Sequence, residues 1–240
     1  MLSLLTSEQI NDLPRLRTTG INTSGNLYIY ENMIIKIYNA YDYECEQNID
    51  RLLSKTIDGN YTWPLEKVYF NDRFYGVTLN YYEDYYSFGY FLDSKQITFE
   101  QRIMLCKKFI KELKNLHNNG IVHGDLHLEN IITNGSDIVI ADLDYVIFES
   151  DEKFNLYFKN ERIESLIVCL SFLCGIDLIN LKQFNFPEIS WVMFLRLLGV
   201  NKELIDFVYN MQKGNNIYFD EYLNCISDNQ LKTQIQRIKK

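Results

Sequence analysis

The stretch "GIVHGDLHLENII", Gly120 to Ile132, sets two histidines, an aspartate, a glutamate and an asparagine between apolar runs whose flanks read as buried. Such crowding does little for the stability of a helix or strand, but it suits a loop that handles protons and metal ions. Asp125 sits five residues before Asn130, and Asp142 follows twelve further on, closing the short apolar run "IVIAD". A hydroxyl attacking a phosphate needs a carboxylate to orient it and accept its proton, and oxygen ligands to hold Mg²⁺ against the phosphate oxygens. Asp125, Asn130 and Asp142 supply that set from one loop and one strand end.

Working outward, "TFEQRIMLCKKFIKELKNLHNNG" predicts a long amphipathic helix before the loop. Thr98 is its N-cap, Gln101 completes a capping box and Gly120 ends it. Leu105, Phe109, Leu113 and Leu116 form its core stripe. Two short apolar runs, Ile131–Thr133 and Ile138–Ala141, follow the loop. Upstream, the β-rich runs Leu27–Tyr30 and Met33–Tyr38 flank Glu31-Asn32 as a tight hairpin, and "WPLEKVYFNDRFYGVTLNYY" gives two more strands about Asn71-Asp72. Between these pairs Cys45, Ile49, Leu52 and Leu53 fall at helical spacing, and "TSEQINDL" near the start suggests a short helix. From about Arg162 the chain reads as helices. The run Leu166–Ile176 falls short of the roughly 20 residues that cross a bilayer and reads as a buried helix.

The expected fold class is therefore α+β and bilobal. A small antiparallel sheet lobe with one helix spans residues 1–82, a larger helical lobe spans residues 83–240, and together they make one domain with a cleft between the lobes. Lys36 on its strand is placed to pair with phosphates and with a helical carboxylate, Glu46. The Gly20–Gly25 turn is placed to bring backbone N–H groups to the same phosphates.

The chain of 240 residues carries a net charge of −8, with Lys and Arg concentrated only near Lys232 to Lys240. That balance argues against nonspecific nucleic-acid binding and permits a cationic partner. Five cysteines without a CxxC pair leave one over, which fits a reducing compartment. With no secretion signal and no membrane span in the sequence, the expected location is cytoplasmic.

These segments, in this order, resemble the protein-kinase-like superfamily. "HGDLHLEN" is similar to the kinase catalytic loop, with His123, Asp125 and Asn130 in register. "ADLDYV" resembles the metal-binding DFG segment, "IIKIY" the strand with the ATP-binding lysine, and "GINTSG" the glycine-rich loop, with Asn22 at the middle glycine's place. Glu46 fits the lysine's ion-pair partner, with Glu44 as the alternative. "GVTLNYYED" looks like the strand and hinge that grip adenine, placing Leu79 at the gatekeeper and Asn80, Tyr81 and Tyr82 along the hinge. The resemblance spans about Thr18 to Gly175.

It implies an enzyme that uses ATP and Mg²⁺, or Mn²⁺. In it Asp125 is the catalytic carboxylate and Lys36 holds the α- and β-phosphates. Asn130, Asp142 and Asp144 are the metal ligands, and Gly20, Asn22 and Gly25 form the phosphate cradle. The first expected acceptor is serine or threonine of a protein, including the chain itself. The alternatives are a sugar- or aminoglycoside-like small-molecule alcohol and a nucleotide-binding pseudokinase.

Departures bear on the choice. Gly124 stands where regulated kinases carry an arginine, His127 where protein kinases carry a lysine, and Asp144 where DFG has glycine. Arg162 occupies the place of an expected aspartate, and only residues 145–161 separate the metal segment from the anchoring helix. Plainer readings stand beside each assignment. Asp125 and Asn130 suit a capped turn, Lys36 an edge strand, Glu46 a solvated helix face, and Gly20 and Gly25 an ordinary turn. His123 reads as structural and His117 as core. The three histidines have the wrong spacing for zinc on one helix face.

Overall fold

The computed structural model describes residues 12–16, 25–215 and 217–238. The helix expected near Thr6, and the positions Gly20 and Asn22, lie outside them. The described chain is mixed α+β, 47% helical and 19% strand.

Strands β1 (Gly25–Tyr30) and β2 (Met33–Tyr38) form the expected hairpin, with Glu31 at φ +54° in its turn. β3 (Pro64–Phe70) and β4 (Arg73–Asn80) turn at Asn71 and Asp72, both at positive φ, which matches the twist that two-residue hairpins prefer. The sheet order is β1-β2-β4-β3. Pro14 and Leu16 extend it beyond β1. The Leu16 N–H donates to the Leu27 carbonyl at 2.9 Å, and the Ile29 N–H to the Pro14 carbonyl at 2.8 Å. Helix α1 (Tyr43–Leu53) packs on this sheet. Asp42 caps it, accepting from the Glu44 and Cys45 N–H groups, and Cys45, Asn48, Ile49 and Leu52 are its buried face.

The chain continues through β5 (Tyr86–Ser87) to helix α2 (Phe99–Asn118), β6 (Ile121–Val122), β7 (Ile131–Thr133), β8 (Ile138–Ile140) and β9 (Ile147–Phe148). Five further helices, α3 (Phe154–Cys174), α4 (Leu178–Asn185), α5 (Trp191–Leu197), α6 (Lys202–Gln212) and α7 (Phe219–Cys225), lead to α8 (Asp228–Ile238). The small sheets are β5-β7-β8 and β6-β9, and their two-residue strands carry too little pattern to be foreseen.

The α2 stripe Leu105, Phe109, Leu113 and Leu116 is wholly buried. α3 buries nearly every side of its last turns and ends at Gly175 in the left-handed conformation. It starts at Phe154, eight residues before the point where sequence periodicity becomes helical. No side chain caps its first turn, and its early apolar residues are spent on local stacking, Phe154 on Phe158 at 5.7 Å between centroids.

A single hydrophobic cluster runs from Ile34 and Val77 of the sheet through Leu113, Ile140 and Leu166 to Phe219. Each such side chain contributes about 1.5–3 kcal/mol when taken fully from water. No single helix among the described residues is long and apolar enough to cross a membrane. None of the five cysteines is in a disulfide, and four of them are buried.

The capping box at Thr98 and Gln101 is formed on both sides, at 3.2 and 2.8 Å. Thr98→Ala is expected to cost about 1 kcal/mol. It lowers the midpoint of thermal unfolding by roughly 2–4 °C, and an unchanged midpoint by circular dichroism refutes the assignment.

Candidate functional site

The loop after β6 is held from beneath. His123 is fully buried, and its Nε2 lies 2.7 Å from the Ala141 carbonyl. A carbonyl can only accept, so Nε2 carries the hydrogen and Nδ1 is left to accept the Asp125 N–H, at 3.3 Å. The His123 N–H in turn donates to both carboxylate oxygens of Glu161 on α3, at 3.0 and 2.9 Å. Glu161 is 1% exposed and lies 3.6 Å from His117 Nε2. Between His123 and Asp125 the chain passes Gly124 at φ +83°. A Cβ there would stand 2.6 Å from the Tyr145 carbonyl oxygen. Backbone geometry thus accounts for glycine at this position.

The Asn130 side-chain NH₂ donates to the Asp125 carbonyl at 2.9 Å, which leaves the amide oxygen available as an acceptor. The Ala141 N–H donates to the Asn130 carbonyl at 2.8 Å, continuing the β7–β8 ladder and bringing Asp142 alongside Asn130. Asp142 adopts the left-handed conformation, φ +62°, and its N–H is met by Thr62 Oγ1 at 3.2 Å. The Asp125 side chain is 64% exposed. His127, with Nε2 3.7 Å from Asp125 Oδ2, holds that carboxyl below the ordinary carboxylate range, while Asp125 raises the imidazole.

Lys36 reaches this turn from β2. Its ammonium is nearly buried and lies 2.5 Å from both Asp142 Oδ1 and Asp144 Oδ2. Burial alone would lower its pKa, but Asp144 and Asp142 outweigh that and hold it above the usual lysine value. Burial raises the Asp144 carboxyl, opposed by Lys36.

The expected helical partner is corrected. Glu46 points toward β3 and meets Lys67 at 3.1 Å and the Tyr41 hydroxyl at 3.0 Å. Glu44 meets Lys153 at 3.0 Å. The face that α1 turns toward the lysine carries Cys45 and Asn48 instead, and the Asn48 NH₂ donates to the Asp144 carbonyl at 3.2 Å.

Leu79 is buried near the end of β4, and Asn80 is exposed beside it. The Tyr81 N–H donates to the Asn32 carbonyl at 3.3 Å, and the Tyr82 hydroxyl to the Tyr61 carbonyl at 3.1 Å. Gly25 opens β1, where a Cβ would run into the Ile37 carbonyl; close strand approach demands glycine there.

Three buried or partly buried carboxyl and amide groups escaped sequence reading. Glu161, one position before Arg162, supplies the carboxylate that the anchoring helix was expected to carry. Its signal was present but misregistered by one residue. Arg162 turns the other way, donating to the Asn215 carbonyl at 2.5 Å and lying over Phe158. Asn48 gave no pattern. Glu164, also on α3, has its carboxyl pushed up to about 7 by burial, with Glu161 and Asp125 adding to the shift.

Among the described residues no three His, Cys, Asp or Glu side chains converge as a closed metal cage. Asp142 and the Asn130 amide oxygen are instead two hard donors on neighbouring stretches of chain, joined by the Ala141 N–H to Asn130 carbonyl bond. That suits Mg²⁺, which commonly takes one or two carboxylates and completes its octahedron with phosphates and water. No protein-family model matches the chain, and no curated protein matches it.

Glu161→Ala leaves the His123 N–H without its acceptor inside the protein. The expected loss is about 1–3 kcal/mol of stability, read by urea denaturation. A loss below a few tenths of a kcal/mol overturns the anchoring role.

Proposed function

We propose that the protein is an ATP-dependent phosphotransferase of the protein-kinase-like superfamily, moving the γ-phosphate of ATP to a hydroxyl. The sheet with α1 and the helical remainder correspond on this reading to the two lobes. The observation that carries it is the convergence of Lys36 from β2 on Asp142 and Asp144, over a hundred residues away, beside the loop that presents Asp125.

Asp125 orients the acceptor hydroxyl and takes its proton. It suits the task because its carboxylate is open to solvent, stays ionised and is fixed through its own backbone by His123 and Asn130. Lys36 contacts the α- and β-phosphates through its ammonium. Leu79 and the Asn80–Tyr82 segment flank the adenine. Mg²⁺, or Mn²⁺ in its place, bound by Asn130 and Asp142 would neutralise charge on the phosphates. The chemistry is mostly positioning and charge neutralisation.

Serine or threonine of a protein, this chain included, remains the first acceptor class. One observation favours a small-molecule alcohol. Residues 145–153 are all that separate the Asp142 turn from α3, and within them Ile147 and Phe148 are paired to β6. Little backbone is left to dock an extended peptide. Phosphate transfer from labelled ATP, to protein substrates against a panel of alcohols and amino sugars, decides between them. Wild-type protein that binds MgATP and transfers nothing overturns both in favour of a pseudokinase.

Asp125→Ala is expected to lower turnover by about 10²–10⁴-fold and Lys36→Ala by roughly 10²–10³-fold, with far-UV spectra unchanged. Turnover near wild type in either variant contradicts the roles given.

The reaction needs ionised Asp125, and protonated His127 favours that form. His127→Ala removes this help, so the acid limb of the kcat/KM profile is expected to move to higher pH. A limb that stays in place refutes the coupling.

A further inference from the structure

We propose that Asp144 is the permanent ion-pair partner of Lys36, replacing a helix carboxylate, and that Asn48 of α1 holds it there. This rests on the proposed function for its catalytic meaning and deepens that reading by assigning positioning residues.

The two carboxylates on Lys36 are not equivalent. The Asp142 side chain is 36% exposed, whereas that of Asp144 is 3% exposed. Asp142 is the one solvent reaches, and it directly follows Ala141, whose N–H donates to the Asn130 carbonyl. Were Asp142 and Asn130 to hold a cation, less of the Asp142 charge would be left for the lysine. A buried ammonium left without a counter-charge is strongly unfavourable. Asp144 removes that problem. It meets the ammonium at 2.5 Å in the protein interior and leaves the remaining N–H donors free to turn to phosphate oxygens.

α1 takes part by a different bond from the one its glutamates suggest. Glu46 and Glu44 are each engaged with another lysine, and the helix grips the Asp144 backbone carbonyl through buried Asn48 instead. Helix and lysine are thus coupled in series: Asn48 to the Asp144 carbonyl, and the Asp144 carboxylate to Lys36.

The pairing can be read without any catalysis. Competitive acetylation of Lys36, followed by peptide mass spectrometry, measures the reactivity of its amine. In Asp144→Asn, which removes the buried counter-charge beside the amine, the reactivity is expected to rise about ten-fold. In Glu46→Gln it stays within about two-fold. Glu46 lies on the sheet-edge side of α1, so this variant remains informative if Asp144→Asn fails to fold. A rise in Glu46→Gln as large as that expected for Asp144→Asn overturns the proposal.

Kinetics supply the second reading. Asp144→Asn is expected to raise the KM for ATP about ten-fold while leaving the Mg²⁺ concentration for half-maximal rate within about two-fold; Asp142→Asn shifts that Mg²⁺ requirement upward. An Asp144→Asn variant whose Mg²⁺ requirement moves as far as that of Asp142→Asn makes Asp144 a metal ligand and sinks the assignment. Asn48→Ala, which breaks the grip on the carbonyl alone, is expected to share the KM effect, and Asn48→Ser to restore part of it. Wild-type protein that neither binds nor turns over ATP removes the proposed function, yet the acetylation contrast still decides who holds Lys36.

Discussion

A single buried ammonium between two carboxylates ties this molecule together. Lys36 belongs to the N-terminal sheet and Asp142 and Asp144 to a turn after β8, and nothing in the local chain obliges them to meet. Burying such a group is costly, and the attraction repays the cost only where geometry is close and the remaining polar groups are satisfied. The backbone groups beside the pair are satisfied. Thr62 holds the Asp142 N–H and Asn48 the Asp144 carbonyl. The register of β2 on β4, the approach of α1 and the end of β8 are therefore constrained together. Removing one charged member from such a set costs about 3–5 kcal/mol in comparable proteins, because it leaves an uncompensated charge inside.

The loop bearing Asp125 follows the complementary rule. Groups that hold position are buried, and the group assigned to react is not. His123, Glu161 and Asn130 are nearly or wholly inaccessible, and each is engaged through backbone atoms on at least one side. Asp125 is fixed by its N–H and its carbonyl while its carboxylate remains open. Groups preorganised in this way need no rearrangement when charge develops near them. The same arrangement explains why so many polar residues occur between apolar flanks: most of them terminate backbone hydrogen bonds in a segment that neither pairs as a strand nor coils as a helix.

Local chemistry was legible in the sequence, whereas the choice of distant partners was not. The Glu31-Asn32 and Asn71-Asp72 turns, the Thr98 capping box and the α2 stripe are encoded within a few residues, and each forms as read. That Lys36 and Asp142 share one site was implied by the resemblance of their segments, but their direct pairing was not read. Nor was the carboxylate that completes it legible. Glu46 and Asn48 lie two residues apart on one helix, and only the packing of Cys45, Ile49 and Leu52 decides which of them faces the lysine. The same ambiguity applies on α3, where a carboxylate was expected at the position of Arg162 and the neighbouring Glu161 carries it. Both are buried, and one turns to the loop while the other turns to Asn215. A one-residue step rotates a helical side chain by about 100°, so an error of that size reverses a role without disturbing the hydrophobic pattern.

The way α1 is fastened also bears on control. An element that switches needs two arrangements within a few kcal/mol of each other. α1 is attached to the segment after Asp142 at several points. Asn48 bonds the Asp144 carbonyl, Arg51 pairs with Asp151 at 3.0 Å and lies over the Phe148 ring at 3.7 Å, and Glu44 meets Lys153. The exposed ion pairs add about 0–1 kcal/mol each, the cation–π contact roughly 0.5–2 kcal/mol and the buried amide bond about 1 kcal/mol. No one of these is large, but they act on the same two elements and favour the same placement. The segment they grip is short and already paired through β9 to β6. Gly124, at φ +83° against the Tyr145 carbonyl, fixes the neighbouring loop in the same way. The placement of α1 is the one that the fold itself selects.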